Sequence, residues 1–196
     1  MTTQWIEVEA DYHQFMIANA DVDTTSVTST SSVFDSGSGF VVVHTGIAAG
    51  PVSVALEILD AAPAAVLDDW DNVSEAAIRS DGPLQVLTTL GDNPPGFEQL
   101  AGLGGGTYVL RIHTRGRQAN WDMTVESPTE QYLIQIWPTK RVTNARDLRS
   151  TDGVWDTTEI AAPAVAFDRP SANVDDATVD LYGPVRWDPS ESDNNA

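Results

Sequence analysis

The chain has 196 residues, with 29 Asp and Glu against 10 Lys and Arg, a formal net charge of -19 and no cysteine. The lack of cysteine excludes disulfides, thiolate zinc sites and a thiol nucleophile. The negative charge argues against nucleic acid and anionic membranes as partners, because Lys and Arg drive binding to phosphates by displacing counterions.

The beginning of the chain has neither a basic leader segment nor a continuous apolar stretch. No apolar run approaches the roughly 18 residues that a membrane-spanning helix needs. We therefore expect a soluble, cytoplasmic protein. With 41% hydrophobic residues, the chain is predicted to form one globular domain over residues 1–138, followed by a partly disordered extension over residues 139–196.

Short apolar runs rich in Val, Ile, Phe, Tyr and Trp alternate with Gly, Pro, Asp and Ser, a pattern typical of strands. In residues 107–114, for example, Tyr108, Leu110 and Ile112 fall on one face, which we expect to belong to the core. The fold class predicted is all-β, an antiparallel β-sandwich of about eight short strands. Those strands are residues 4–9, 12–19, 39–45, 51–59, 72–79, 84–89, 107–114 and 131–137.

Residues 72–79 are ambiguous, because Asn72 and Glu75 also fit a helix capping box. We favour a strand, since Asp81 and Gly82 follow it and an Asp-Gly pair supplies the positive φ angles of a tight hairpin. That hairpin would join residues 72–79 to residues 84–89. The polar residues 23–32 are interpreted as a loop.

The sequence contains no motif for a serine nucleophile, a zinc helix or a phosphate-binding loop. His13, His44 and His113 each stand alone in a predicted strand, which favours surface or hydrogen-bonded roles over metal binding. Residues 21–23 and 69–71 lack the Gly and terminal Glu of a calcium loop. We therefore predict that the protein is not an enzyme and uses no cofactor or metal.

The chain's acidic residues are unevenly placed, with twelve of them and no Lys or Arg in residues 1–78. Such like charges repel one another in the folded state, and some benefit should offset that cost. We expect the benefit to be binding, with these charges concentrated on one outer surface that serves a cationic partner. The cluster with the clearest interface composition is one aromatic ring among carboxylates: Asp68, Asp69, Trp70, Asp71 and Glu75. Aromatic anchors with charged rims are typical of protein interfaces. The alternative is that Trp70 packs in the core and the aspartates belong to a solvated loop.

Three arginines form a basic group in the predicted domain. Arg111, Arg115 and Arg117 are expected to pair with the protein's own acids.

Four segments carry a resemblance to a known family, in the order 12–19, 39–46, 106–113 and 130–138. Their sequences are YHQFMIAN, GFVVVHTG, GTYVLRIH and EQYLIQIWP. They resemble the competence protein J family, small acidic β proteins whose named member inhibits a DNA-entry nuclease. Similar proteins occur in actinobacteria. The resemblance spans residues 4–138 and implies an all-β sandwich and a non-enzymatic role, but it carries over no binding residues.

The resulting hypothesis is an acidic inhibitor or immunity protein that occludes the basic active site of a nuclease or toxin. Asp68, Asp69, Asp71 and Glu75 would be rim charges and Trp70 the anchor. One alternative is a sugar- or small-molecule-binding β-sandwich that uses exposed tryptophans: Trp5, Trp121 or Trp155. Another is a structural or virion-associated protein whose extension serves as an assembly arm. The oligomeric state stays open.

Overall fold

The computed structural model describes residues 3–19 and 22–155. This part of the chain contains eleven strands and one short 3-10 helix at Glu98–Gly102. The strands are β1 (Trp5–Asp11), β2 (Gln14–Asn19), β3 (Val27–Thr30), β4 (Phe34–Gly37), β5 (Phe40–His44), β6 (Ala49–Ile58), β7 (Asn72–Ser80), β8 (Leu84–Leu87), β9 (Gly106–Arg115), β10 (Gln131–Pro138) and β11 (Arg146–Ser150). No helix in the described residues has the length and apolar character needed to cross a membrane.

The all-β class is confirmed, and each of the eight expected strands is present. The strand count differs, since β3, β4 and β11 were not predicted. β3 lies within the polar residues expected to form a loop. Its residues are mostly exposed, so its sequence shows no alternation of apolar and polar residues that would predict a strand. β11 lies in the expected extension and pairs with β7, so residues 146–150 belong to the sheet. The boundary at residue 138 stays a prediction, and residues 156–196 of the expected extension lie outside the described residues.

All eleven strands are hydrogen-bonded into one sheet rather than two separate sheets. The order is β11-β7-β9-β10-β6-β1-β2-β5-β4-β3, with β8 also paired to β2. Strand β1 pairs with β6 along its whole length but with β2 only at Asp11 and Gln14. The sheet therefore divides at this tight turn into a six-stranded half that ends at β1 and a five-stranded half around β2.

One strand pair departs from the expected antiparallel arrangement. Strands β10 and β6 run parallel, with Tyr132 opposite Val54 and Ile134 opposite Leu56. This pairing is possible because the long connection between the two strands includes β7, β8 and β9, and parallel neighbours need such a crossover.

The expected hairpin over Asp81 and Gly82 is wrong, although residues 72–80 do form a strand. Neither residue adopts a positive φ, so the tight hairpin geometry is absent. The chain instead crosses to the other half of the sheet, where β8 pairs antiparallel with β2 and Ile17 lies opposite Val86.

A single hydrophobic core joins the two halves. Tyr108, Leu110 and Ile112 of β9 are all buried, as predicted from their alternation. Phe15 of β2 packs edge-on against Tyr132 of β10, with ring centroids 5.4 Å apart. Burial of such side chains contributes about 1.5–3 kcal/mol each. This core holds β1, β2 and the turn between them in place.

Candidate functional site

Trp70, the predicted anchor, lies in the connection between β6 and β7 and is 9% exposed. Its ring centroid is 5.4 Å from that of His113. The Arg115 guanidinium lies 5.0 Å from the Trp70 ring centroid, within cation–π range. The indole therefore packs onto β9, and a role in partner binding stays a prediction.

Glu75 of β7 lies between two arginines. Its Oε2 accepts a hydrogen bond from Arg111 Nε at 3.0 Å, and its Oε1 accepts one from Arg146 Nε at 3.0 Å. Burial acts to raise the pKa of Glu75, but the hydrogen bonds and positive charges of Arg146 and Arg111 outweigh it and hold that pKa below its ordinary value. The charge of Glu75 is thus compensated within the protein.

The three aspartates of the predicted cluster have different environments. Asp71 is half-buried, and its Oδ2 accepts the backbone N–H of Gly116 at 2.8 Å. Asp68 and Asp69 are exposed, and Asp68 Oδ1 is 4.0 Å from Arg149 Nη1. Of the five predicted residues, only these two present carboxylates that are freely accessible to a partner.

The neighbouring arginines pair largely as expected. Arg111 binds Glu75, and Arg117 binds Asp152 through Nε at 2.8 Å. Arg115 differs, since its Nε donates to the side-chain oxygen of Gln131 at 2.8 Å rather than to an acid.

A second acidic surface follows β1, a strand for which no site was predicted. On this strand Val8 and Ala10 are buried in the core, while Glu7 and Glu9 alternate with them and are exposed. The acidic cleft, about 620 Å³ in volume, is lined by four carboxylates, those of Glu7, Glu9, Asp11 and Asp92.

The acidic cleft has no basic residue in its lining. Among the described residues, none of its four carboxylates forms an ion pair with Lys, Arg or His. Leu90, which is 84% exposed, and Val125 contribute apolar surface. The cleft therefore combines uncompensated negative charge with accessible hydrocarbon.

An aromatic cluster lies next to the acidic cleft and consists of His13, His44, Trp121 and Trp155. Trp155 is central, with ring centroids 5.5 Å from His13, 5.3 Å from His44 and 5.4 Å from Trp121. Trp121 is 45% exposed. Each imidazole lies against a carboxylate oxygen through Nε2, His13 with Asp122 at 3.1 Å and His44 with Asp35 at 3.3 Å. The Nδ1 atoms of both imidazoles are buried and have no partner in the described residues.

The backbone around this cluster is unusual. Four non-glycine residues in the described chain have positive φ, and all belong to the cluster or adjoin it in sequence: Tyr12 (51°), His13 (61°), Asp122 (59°) and Trp155 (57°). The first two form the two-residue turn between β1 and β2, which requires positive φ at both positions. Such conformations cost free energy and concentrate at functional sites.

The turn between β5 and β6 ties the cleft and the cluster together. Thr45 donates its backbone N–H to the His13 carbonyl at 2.8 Å and accepts Trp155 Nε1 at 3.0 Å. On the other side of this turn, the N–H of Asp122 donates to the carbonyl of Gly46 at 2.9 Å. The turn leads directly into Ala49 of β6, which lines the acidic cleft, so the two surfaces share this turn as a common rim.

Glu130, which is fully buried, fixes that turn from below. Its carboxylate accepts the backbone N–H groups of Ile47 at 2.7 Å and Gly46 at 3.1 Å, and it also accepts the hydroxyl of Tyr132. Burial, together with the charge and hydrogen bond of Glu130, raises the pKa of the Tyr132 phenol well above its ordinary value. A buried polar network around Glu130 therefore holds the turn that forms the rim.

His113 lies apart from the other two histidines, on β9 against Trp70. Burial lowers its pKa, partly opposed by the hydrogen bond to the Leu133 carbonyl. Within residues 3–19 and 22–155, no group of three or more His, Asp and Glu side chains is arranged to hold a metal ion.

The sequence did contain a signal for the acidic cleft. Trp5, Glu7, Glu9 and Asp11 occupy alternate positions of the first strand, and this period places them on one face. The contribution of Asp92, and the approach of Trp121 and Trp155 to this face, depend on distant segments that no local pattern reveals.

No family model matches the chain, and no curated protein matches its sequence. Two solved structures are similar in fold. The crystal structure of ComJ from Bacillus subtilis, an inhibitor of the DNA degrading activity of NucA, is 12% identical with a TM-score of 0.47, over 70% of this chain and 98% of that chain. The structure of crocagin biosynthetic gene J is 16% identical with a TM-score of 0.44, over 72% of this chain and 100% of that chain. These values are too low to place this chain in a family or to give it a function.

Proposed function

We propose that the protein is a non-catalytic inhibitor that binds a basic protein, such as a nuclease or toxin, and covers its cationic surface. The observation that carries this proposal is the acidic cleft, whose four carboxylates have no basic partner among the described residues. A cleft built to bind phosphates is lined with Lys and Arg, and uncompensated carboxylates are complementary to it.

A role in binding a protein explains the carboxylates of the acidic cleft better than a role in hydrating the surface. Glu7, Glu9 and Asp11 are successive outward residues of one strand, so their charges repel one another in the folded protein. A cationic partner relieves that repulsion, and the local potential also accelerates association at low salt.

The aromatic cluster supplies the apolar contact that charges alone do not provide. Trp121 of the cluster is 45% exposed, and two residues near cluster members in sequence, Tyr12 and Met123, are 77% and 55% exposed. Large aromatic side chains beside a charged rim carry much of the binding energy in many interfaces. We infer that Trp121 is an anchor and that the cleft carboxylates form its charged surroundings.

The predicted cluster around Trp70 remains a second candidate surface. Asp68 contacts Arg149 of β11, whereas the acidic cleft lies on β1, at the opposite edge of the six-stranded half. Neither Asp68 nor Asp69 lines the acidic cleft, so the acidic side chains of residues 1–78 form at least two groups.

Inhibition assays with matched variants test the proposal. Purified basic nucleases and toxins encoded in the same genome are titrated with the protein at about 50 mM salt, and binding is measured by calorimetry. We expect one of them to be inhibited, with affinity that falls as salt rises. Glu7→Gln combined with Glu9→Gln should weaken that binding by about tenfold or more, whereas Asp68→Asn combined with Asp69→Asn serves as the matched control.

Two outcomes separate the function from the surface. If none of these proteins binds at low salt, the inhibitor function is wrong. If one binds but only the Asp68 and Asp69 variant weakens the complex, the function stands and the surface is the predicted group instead. The cytoplasmic location expected from the sequence stays a prediction.

A second candidate function, binding of a sugar, is favoured by one observation. Trp121 and Trp155, two of the three tryptophans considered for this role, lie 5.4 Å apart beside His13 and His44. Aromatic faces with a few polar groups are typical of small-ligand sites. Sugar binding depends little on ionic strength, so glycan-array signal that persists in high salt and disappears with Trp121→Ala would support it over inhibition of a basic protein.

A further inference from the structure

A cleft of about 450 Å³ is lined by residues of β7, β9, β10 and β11 and of the segment between β10 and β11. Three arginines line this arginine cleft: Arg111, Arg141 and Arg146. Glu75 and Trp137 also line the arginine cleft and contact its arginines. This concentration of positive charge stands out in a chain of formal charge -19.

The single carboxylate in the cleft does not balance the arginines. Glu75 binds Arg111 through one oxygen and Arg146 through the other, so the trio keeps one net positive charge. Arg141 adds a second, since its guanidinium has no acidic partner among the described residues. The cleft therefore carries an excess of about two positive charges.

The arginines differ in how firmly they are held. Arg111 is 6% exposed, donates Nη1 to the Pro63 carbonyl at 3.1 Å and lies 4.9 Å from the Trp137 ring centroid. Arg146 is fixed at one end by Glu75, and its Nη1 has no acceptor in the described residues. A guanidinium that is positioned in advance loses less conformational freedom when it binds an oxyanion.

The geometry points to a binding site for a phosphate group in the arginine cleft. Guanidinium forks match phosphate oxygens in a bidentate manner, and a dianionic phosphate balances the two excess charges. The hydroxyl side chains of Thr139 and Thr143, which also line the cleft, supply neutral donors. A single phosphate group meets little of the long-range repulsion that the net charge exerts on a nucleic acid.

Thermal unfolding and calorimetry test this site with inorganic phosphate, compared with chloride at equal ionic strength. We expect phosphate to raise Tm and to bind with measurable heat. Arg141→Gln should weaken phosphate binding by about tenfold, as expected for loss of a charge-assisted hydrogen bond. This variant alters an exposed side chain without a partner, so it should fold like the wild type.

Arg79→Gln is the matched control, because Arg79 is also exposed but pairs with Asp81 outside the arginine cleft. Equal Tm in phosphate and chloride, or equal phosphate affinity in both variants and the wild type, would overturn the proposal. O-phosphoserine distinguishes the source of the group: tighter binding than inorganic phosphate indicates a phosphorylated partner, and weaker binding indicates the free ion. Neither outcome depends on the acidic cleft.

Discussion

Arg117 and Asp152 form a fully enclosed ion pair, with Arg117 Nε 2.8 Å from Asp152 Oδ2 and side-chain exposures of 0% and 3%. Arg117 also donates to the carbonyls of Ser32 at 2.9 Å and Val154 at 3.4 Å. The pair joins the loop after β9 to the segment that carries Trp155. It therefore supports the aromatic cluster from within.

Replacing Asp152 with Ala should lower the free energy of unfolding by about 3–5 kcal/mol, because it leaves the Arg117 charge buried without a counter-charge. Urea unfolding followed by circular dichroism measures the change. Asp81→Ala is the control, since the Arg79–Asp81 pair is exposed and should contribute nothing measurable. Equal effects of the two substitutions would contradict the structural role of the buried pair.

Gly46→Ala should destabilise the protein by about 3 kcal/mol. A Cβ atom at this position would lie 1.9 Å from the Arg117 carbonyl oxygen, so the turn between β5 and β6 would have to move. Gly102→Ala has no neighbouring atom within 4 Å and should stay within about 0.5 kcal/mol of the wild type. Chemical denaturation compares the two, and a mild effect at Gly46 would mean that the turn adapts easily.

Stability should fall in acid partly through Glu75. Its pKa is lower when folded than its ordinary value of 4.5, so the unfolded chain binds the proton first as pH decreases. The contribution of Glu75 is present above about pH 4.5 and disappears as pH falls through the folded value. Glu75→Gln should lower Tm at neutral pH but flatten its decline between about pH 5 and 3. Asp69→Asn should keep the wild-type decline, and an unchanged slope in Glu75→Gln would refute the assignment.

Tyr132 should cause loss of stability in alkali. Its folded pKa lies well above the ordinary value of 10.0, so above about pH 10 the unfolded chain releases the phenolic proton more readily. The contribution of Tyr132 to stability is therefore fully present below about pH 10 and is lost as pH rises further. Tyr132→Phe should reduce the slope of Tm against pH above about pH 10, whereas Tyr12→Phe, at an exposed position, should not.

Glu9 should show a conflict between stability and binding. It lies between Glu7 and Asp11 on the outward side of β1, so Glu9→Gln relieves repulsion. We expect Tm at low salt to rise by about 1 °C and the gain to vanish in high salt. Affinity for a basic partner should fall at the same time. A drop in Tm at low salt would show that the carboxylate is needed for folding.

The core strands were accessible from the sequence because burial of one face imposes a two-residue period. Residues 107–114 and 131–137 show this period, and their inward side chains are buried as expected. β3 carries few buried residues and β11 is short and polar, so both depend on pairing with neighbours and leave little hydrophobic signal.

The candidate site was predicted less well. Composition indicated a surplus of acid in residues 1–78, but charge counting contains no information on which carboxylates are paired. Glu75 looked like a rim charge until the fold placed Arg111 and Arg146 against it. Glu7 and Glu9 looked ordinary until the fold left them without basic neighbours.

Local periodicity and composition are sufficient to predict the all-β class, most strands, their inward faces and the overall negative charge. Three features could be found only in the folded protein: β8 pairs with β2, β10 runs parallel to β6, and Trp121 meets Trp155 next to the turn that follows β1. Such contacts join residues far apart in the chain, and their free energies depend on distances that only folding sets.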